Sequence, residues 1–276
     1  DVDQPDRLLE VVPEQELALE HALLLRDRLV TVHLRHASHV LTSWSLTGER
    51  LGEIGLPGIG SVFLGSVERD SDHAYFLFTS FLQPPSVYRT DGNPGEAELL
   101  FRPGLPFDAS RFETVQEFAV SRDGTRVPMF ITRRRDMARD GSNRTLLYGY
   151  GGFNVNMTPQ FSVSRLAWLE QGGVLVTANL RGGAEYGRSW HEGGILDRKQ
   201  NVFDDFIACA EYLIASGVTT RSRLAIQGGS NGGLLVGACL TQRPDLFGAA
   251  HAAVGVLDML RYHLFTIGWA WAGDYG

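Results

Sequence analysis

The clearest chemical signal in the chain is a serine set among glycines, in the sequence GGSNG at residues 228–232. An apolar run before it predicts a strand at 224–227, and another after it predicts a helix at 234–242. This strand–turn–helix context matches the nucleophile elbow G-x-S-x-G, whose turn is too tight for side chains at its glycine positions. We therefore expect Ser230 at a sheet edge and a helix N-terminus, where backbone N–H groups favour an oxyanion. A glycine-rich turn with an incidental serine is the alternative, and a phosphate-binding loop would need a lysine and a spacing that are missing.

An oxyanion hole needs two donors, and the sequence offers a candidate for each. The backbone N–H of Asn231 is the first. The second is expected in the loop YGYGGF at 148–153, where glycines permit close approach to a substrate and tyrosines carry a phenolic donor. The alternative for this loop is a β-turn whose aromatic side chains pack into a core.

These candidate residues lie in a segment where predicted strands and helices alternate. Such alternation predicts a mostly parallel sheet with helices on both faces. The unbroken apolar run at 174–178 is typical of a strand buried on both sides. The predicted strands are 112–120, 127–133, 145–148, 174–178, 224–227 and 249–254, and the predicted helices are 160–171, 203–215 and 234–242.

The first part of the chain has a different pattern, with short runs rich in β-branched and aromatic residues between turn signals. We predict strands at 28–35, 40–46, 74–81 and 86–90. Spaced short strands fit a sandwich, a barrel or the blades of a propeller, and the pattern alone leaves these open. We place the domain boundary between residues 107 and 108.

The composition is that of an ordinary globular protein, with 43% hydrophobic and 21% charged residues. A formal net charge of -7 argues against a nucleic-acid or anionic-membrane surface. No run approaches the roughly 20 apolar residues of a membrane span. Two cysteines, Cys209 and Cys239, are expected as buried small hydrophobes rather than a disulfide framework.

Six motifs follow one another along the chain: YGYGGFN (148–154), ANLRGGAEYG (178–187), GGILDRKQNVFDDF (193–206), GGSNGGLL (228–235), QRPDLFG (242–248) and TIGWAWAGDYG (266–276). Together they resemble the prolyl oligopeptidase family of serine peptidases. The resemblance covers residues 113–276 and extends more weakly over residues 1–106. It implies the fold class: an α/β-hydrolase sheet, incomplete here, preceded by strands from the last blades of a β-propeller.

The resemblance implies cleavage of short peptides after proline, with no cofactor and no metal. Ser230 would be the nucleophile, and the Asn231 N–H and the Tyr150 hydroxyl would form the oxyanion hole. An aromatic slot suits a rigid, apolar proline ring, which Trp271 would stack against. The other residues implied for this pocket are Phe153, Val256, Ile267 and Tyr275. The resemblance also implies a monomer when full length. We expect a cytoplasmic location, with the periplasm as the alternative.

The acid and base of a hydrolase triad follow the serine in the order Ser, Asp, His. We expect the chain to be cut at both ends, to lack these partners and to be inactive alone, because an unassisted serine is a weak nucleophile. His191, His251 and His263 are not expected to replace the base, since His251 lies in a predicted buried strand and His191 in an ordinary loop. Asp258 and Asp274 are predicted to be cap or surface acids.

Other polar groups carry simpler interpretations. His33, His36 and His39 are predicted to lie in a solvated turn rather than to bind a metal. Asp204 and Asp205 are expected to complement the dipole in the first turn of the helix at 203–215. Arg181 and Glu185 could form an ion pair beside the sheet.

Two alternative functions stay open at this stage. One is a sister hydrolase, either a basic-specific oligopeptidase or an acyl-peptide hydrolase or esterase. A basic-specific pocket needs carboxylates, whereas Phe153 and Trp271 favour proline. The other is a non-catalytic propeller–hydrolase binding protein, against which the intact elbow argues.

Overall fold

The computed structural model describes residues 10–65, 67–68 and 70–276. The chain forms two compact units. The first extends to Leu105 and includes Thr158–Phe161, and the second comprises Pro106–Met157 and Ser162–Gly276. No helix in the described ranges is long and apolar enough to cross a membrane.

The first unit consists of two sheets, each built on a four-strand antiparallel meander. This is the architecture of a propeller blade. The sheets share one core, in which the ring of Tyr88 stacks on Phe76 with centroids 5.6 Å apart. One sheet contains β1 (Ala18–Leu24), β2 (Arg28–Arg35), β3 (Ser38–Ser45) and β4 (Arg50–Gly55); the other contains β5 (Ser61–Leu64), β6 (Ala74–Thr79), β7 (Ser86–Thr90) and β9 (Glu98–Phe101). A two-residue strand, β8 (Gly95–Glu96), pairs in parallel with β4.

The second unit is built around a six-stranded sheet flanked by helices. Its strands are β10 (Phe112–Val120), β11 (Arg126–Arg134), β12 (Thr145–Tyr148), β13 (Val174–Ala178), β14 (Leu224–Gly229) and β15 (Ala249–Ala253), and their spatial order is β10-β11-β13-β12-β14-β15. The helices are α1 (Val163–Glu170), α2 (Arg188–Glu192), α3 (Gln200–Ala215), α4 (Asn231–Gln242) and α5 (Ala272–Tyr275).

The parallel pairing of the central strands determines where the candidate site forms. Strand β12 pairs in parallel with both β13 and β14, so that Tyr148 is in register with Thr177 and Gln227. The segments that leave the carboxyl ends of β12 and β14 therefore begin at the same edge of the sheet. In open α/β sheets this edge, where neighbouring strands send their connections apart, is where ligands bind.

The core explains the patterns that the sequence predicted. Every residue of β13 is buried, as expected for a strand covered on both faces. Helix α3 packs its apolar face on this sheet through Phe206 and Leu213. Cys209 and Cys239 are buried free thiols, which confirms the prediction that they are small core residues.

The last strand differs from expectation, because Ala249–Ala253 is largely exposed where a buried strand was predicted. Strand β15 is the edge of its sheet and, among the described residues, pairs only with β14. His251 is consequently exposed. Its Nδ1 lies 3.0 Å from Nε2 of Gln227 on the neighbouring strand.

The predicted position of Asp204 and Asp205 in the first turn of a helix was also wrong. Helix α3 begins at Gln200, three residues before the predicted start, so Asp204 and Asp205 lie beyond its first turn. Asp205 is fully buried, and both its oxygens accept hydrogen bonds from Arg181. Arg181 thus pairs with Asp205 and with Asp123. Glu185 accepts the backbone N–H of Met157.

Candidate active site

Ser230 lies in the sharp turn between β14 and α4. Its φ of 58° and ψ of -118° form a strained conformation for a residue with a side chain. Glycines make the turn possible: a Cβ on Gly228 would lie 2.2 Å from the carbonyl oxygen of Gly232. A Cβ on Gly232 would lie 2.7 Å from the carbonyl oxygen of Gly149. The elbow predicted from GGSNG is therefore present, and the turn holds Ser230 exposed at the edge of the sheet.

Of the backbone N–H groups around Ser230, three already donate to carbonyl oxygens. The N–H groups of Gly233 and Leu234 donate to the carbonyl oxygen of Ser230 itself, and its own N–H donates to Ala253. Asn231 is the first residue of α4, so its N–H has no acceptor within the helix. This N–H and the positive end of the helix dipole are available to an anion formed beside Ser230.

The phenol of Tyr150 is the second polar group near the serine, and its interaction with the Ser230 side chain opposes the rise that burial causes in its pKa. Tyr150 is half-buried, and burial raises the pKa of its phenol above the ordinary value. A phenol with a raised pKa stays protonated at neutral pH and remains a hydrogen-bond donor. The structure thus brings together Ser230, Asn231 and Tyr150 as the sequence predicted.

The side chain of Asn231 connects two parts of the site. It is 1% exposed, its Nδ2 donates to the carbonyl oxygen of Tyr150 at 2.6 Å, and its Oδ1 accepts from the hydroxyl of Tyr275 at 2.9 Å. Both ends of the amide are therefore satisfied, which fixes its orientation. Asn231 joins the elbow to residues 149–153, here called the 149–153 loop, and to helix α5.

Part of the predicted proline pocket is assembled. The rings of Phe153 and Tyr275 meet edge to face with centroids 5.4 Å apart. Trp271 is half-buried at the end of the turn Gly268–Trp271, directly before α5. Among the described residues no ring contact joins Trp271 to either of the other two. Val256 is half-buried after β15, whereas the Ile267 side chain is 57% exposed.

Three groups next to this pocket were not predicted from the sequence as site residues. Asp274, predicted to be a cap or surface acid, is buried, and its Oδ1 accepts the N–H of Phe153 at 3.0 Å. Nε2 of His191 lies 3.8 Å from Oδ2 of Asp274. The Lys199 ammonium donates to the carbonyl oxygen of Gly151 at 2.9 Å and lies 5.4 Å from the centre of the Tyr275 ring.

A general base is not found among these groups. All eight histidines of the sequence fall in the described residues, and none is hydrogen-bonded to Ser230. His191 faces Asp274, His251 contacts Gln227, and His263 lies against the ring of Tyr262. The geometry therefore brings together the candidate nucleophile, the candidate oxyanion donors and part of the candidate pocket, and none of the eight histidines is hydrogen-bonded to the serine.

The described residues contain no group of three or more side chains arranged to hold a metal ion. The closely spaced histidines take other partners. His39 Nε2 lies 2.6 Å from the carboxylate of Glu20, and His33 Nε2 lies 2.9 Å from the amide of Gln15. Both histidines are buried, so the prediction of a solvated turn holds only for His36.

Comparison with known proteins agrees with this geometry. The sequence profile described as "Prolyl oligopeptidase family" matches residues 159–276, and that described as "Prolyl oligopeptidase, N-terminal beta-propeller domain" matches residues 1–103. An α/β-hydrolase domain with a nucleophile elbow, preceded by propeller strands, defines this class of serine peptidase. The chain belongs to the prolyl oligopeptidase family.

Curated relatives share substantial identity with the chain. The prolyl endopeptidase of Elizabethkingia miricola is 43% identical over 244 residues, which are 88% of this chain and 35% of that protein. The prolyl endopeptidase of Dictyostelium discoideum is 41% identical over 272 residues, covering 97% of this chain and 36% of that protein. The chain thus spans little more than a third of the length of these relatives.

Solved structures resemble the chain over nearly its whole length. One from a study of two prolyl endopeptidases has a TM-score of 0.90 and 48% identity, covering 96% of this chain and 39% of that chain. Prolyl oligopeptidase B from Galerina marginata, bound to a 25mer macrocyclization substrate, has a TM-score of 0.89 and 32% identity, covering 96% and 38%.

Proposed function

We propose that the protein encoded by the complete reading frame is a serine peptidase that cleaves short peptides on the C-terminal side of proline. The observation that carries the proposal is the strained, exposed Ser230, with the Tyr150 phenol and the Asn231 N–H beside it. Family membership supports the same conclusion, because the relatives are named prolyl endopeptidases.

In the proposed reaction, Oγ of Ser230 attacks the scissile carbonyl carbon while a general base accepts its proton. The carbonyl oxygen becomes an oxyanion, which accepts hydrogen bonds from the Tyr150 hydroxyl and the Asn231 N–H. The intermediate collapses, the C–N bond breaks, and the leaving amine takes the proton from the protonated base. Water then hydrolyses the acyl ester, which releases the acid and restores Ser230.

Specificity for proline follows from the aromatic wall beside the nucleophile. The edge-to-face pair of Phe153 and Tyr275 offers a rigid apolar surface, which suits a ring that has little conformational freedom to lose. We propose that Trp271, Val256 and Ile267 complete this pocket around bound substrate. The carboxylate of Asp274 is engaged by the Phe153 N–H, so it is not a free partner for a basic side chain.

We further propose that the general base is a histidine outside these 276 residues. None of the eight histidines present is hydrogen-bonded to Ser230, and a serine hydroxyl without a base loses about 10⁴–10⁶ in rate. The 276-residue chain alone is therefore expected to be inactive.

The test is hydrolysis of a chromogenic Gly-Pro peptide by the complete gene product and by the 276-residue chain, side by side. We expect release of the chromophore only by the former, and its loss in Ser230→Ala. Matched peptides with arginine in place of proline, and an acylated peptide, test the sister hydrolases. Equal or better cleavage of either would refute proline specificity, and full activity of Ser230→Ala would refute the nucleophile.

Family resemblance is the support for two subsidiary proposals. The complete protein is proposed to be a monomer, which light scattering on a sizing column would check. It is also proposed to be cytoplasmic, and peptidase activity in the periplasmic fraction of the source cells would contradict this.

A further inference from the structure

The 149–153 loop is held by polar contacts from three separate elements. Asn231 of α4 donates to the carbonyl oxygen of Tyr150, Lys199 donates to that of Gly151, and Asp274 of α5 accepts the N–H of Phe153. The N–H of Gly149 donates to the carbonyl oxygen of Gln227, so four of the five loop residues have their backbone held from outside. The loop carries both the Tyr150 phenol and the Phe153 ring, so these contacts set the position of a donor and of the pocket wall together.

The loop needs such support because its last residue and the residue that follows it are strained. Phe153 has a φ of 53° and Asn154 a φ of 57°, a region that residues with side chains seldom adopt. Two neighbouring residues in this conformation persist only where surrounding contacts over-determine them. The contact between Asp274 and the Phe153 N–H is made at this point, and Lys199 lies between Gly151 and α5.

Lys199 has an unusual place in the composition of the chain. It is the only lysine among 25 basic residues, the other 24 being arginines. An ammonium is a compact point charge with three donors, whereas a guanidinium is a planar fork. At this position the compact group fits between one carbonyl oxygen and one ring face, with Nζ at 2.9 Å from Gly151 O.

Lys199 is half-buried, and one negative charge lies near its ammonium. Burial lowers the pKa of Lys199 to about 8, and the Asp274 carboxylate opposes this decrease. The other titratable groups around it are Tyr275 on α5, His191 on α2, which faces Asp274, and Tyr150 in the loop. Burial raises the pKa of both tyrosines, so neither supplies a charge near neutral pH.

We propose that Lys199 is a positioning residue for the proposed peptidase site, whose ammonium joins the 149–153 loop to α5 and so fixes the Tyr150 donor and the Phe153 wall. The expected effect of Lys199 on kcat rests on the proposed function, whereas its effect on the position of the 149–153 loop is a property of the fold. Lys199 does not touch the reacting atoms; it acts through Gly151, Tyr275 and Asp274.

The proposal predicts a change with pH. The ammonium is present below about pH 8 and is lost as pH rises through that value. Loss of the charge removes the cation–π contact and leaves Asp274 without its nearby cation, so the hold on the loop weakens. Activity should therefore decrease on the alkaline side with a midpoint near pH 8, and a variant without the lysine should lack this step.

The test compares Lys199→Met and Lys199→Arg with wild type in the complete gene product. Arg198→Met, at the neighbouring exposed basic residue, is the matched control. We expect Lys199→Met to lower kcat for the Gly-Pro peptide about 10- to 100-fold, with a smaller change in KM, since misplacing a donor by about 1 Å costs roughly 10². Lys199→Arg should recover part of kcat but not the step near pH 8.

A second measurement does not depend on activity. Hydrogen–deuterium exchange of peptides that span the 149–153 loop should be faster in Lys199→Met than in wild type and in Arg198→Met. The lysine side chains can be observed by NMR in protein labelled with [6-¹³C]lysine. The ε-carbon signal of Lys199 is the one that is absent from Lys199→Arg. In the wild-type protein this signal should titrate near pH 8.

These measurements separate the two claims. A kcat of Lys199→Met within twofold of wild type overturns the positioning role. If the wild-type protein does not cleave after proline, the proposed function fails, and loop exchange then decides the inference about Lys199. Unchanged exchange in Lys199→Met overturns it in either case, and an ε-carbon signal that titrates above pH 10 overturns the predicted step in activity near pH 8.

Discussion

Replacement of Tyr150 by phenylalanine removes one hydroxyl from the site and tests the proposed oxyanion hole directly. The ring stays half-buried in the 149–153 loop, and the carbonyl oxygen of Tyr150 still accepts from Asn231. The Asn231 N–H is left as the remaining donor to the oxyanion. The substitution therefore changes the number of donors while leaving the backbone contacts of the loop in place.

The expected magnitude follows from two opposing contributions. Loss of one oxyanion donor costs about 4 kcal/mol at the upper end of measured cases. The hydroxyl also interacts with the Ser230 side chain before reaction, and losing a neutral polar interaction of about 1 kcal/mol raises the ground state and offsets part of that cost. The net loss of about 3 kcal/mol corresponds to a kcat lower by roughly 10². KM should change little, because the bond to the oxyanion exists only in the transition state.

The assay is steady-state hydrolysis of the Gly-Pro peptide by the complete gene product. Tyr148→Phe is the matched control, because Tyr148 lies on β12 two residues earlier with its ring under Arg165. A Tyr150→Phe enzyme with kcat within twofold of wild type would refute the donor role. An equal loss in both variants would show that the effect comes from packing rather than from the oxyanion.

Two further predictions concern the ion pairs beside the sheet. Arg181→Met should destabilise the fold by about 3–5 kcal/mol in urea titrations, because Asp205 is fully buried and would be left as an unpaired carboxylate. The double variant with Asp205→Leu should recover much of this loss. An Arg181→Met single variant as stable as wild type would contradict the reasoning. A hydrogen bond from Arg181 lowers the pKa of Asp123 to about 2, below the value near 3.9 of an unfolded chain. The stabilisation of the fold by this pair is therefore present above about pH 4 and lost as pH falls toward 2. Asp123→Asn should flatten the dependence of the urea midpoint on pH in that range, and an unchanged slope would argue against the pair.

The sequence predicted the central sheet well because its strands have simple physical signatures. Residues 174–178 form an unbroken apolar run, and the strand Val174–Ala178 is buried at every position. The elbow was predictable for a similar reason, since only glycine tolerates contacts as close as those of Gly228.

Helix α4 shows where local propensity misleads. The helix was predicted to begin at residue 234, because glycines are poor helix formers. It begins at Asn231, and a Cβ on Gly233 would lie 2.5 Å from the Cα of Gly255. Close packing against the chain after β15 requires glycine there, and this requirement overrides propensity. That contact joins positions far apart in sequence, so no local pattern could have indicated it.

The interpretation of Asp274 failed for the same physical reason. An acid in the first turn of a short helix is a favourable dipole contact, and the local rule correctly accounts for its place in α5. The rule has no information about Phe153, 121 positions earlier, whose N–H donates to the buried carboxylate. A chain with 24 arginines and one lysine nevertheless carries a compositional signal that local rules ignore. Where arginine serves at every other basic position, the single exception indicates a site that needs a compact ammonium, and the structure places that ammonium beside Asp274 and the 149–153 loop.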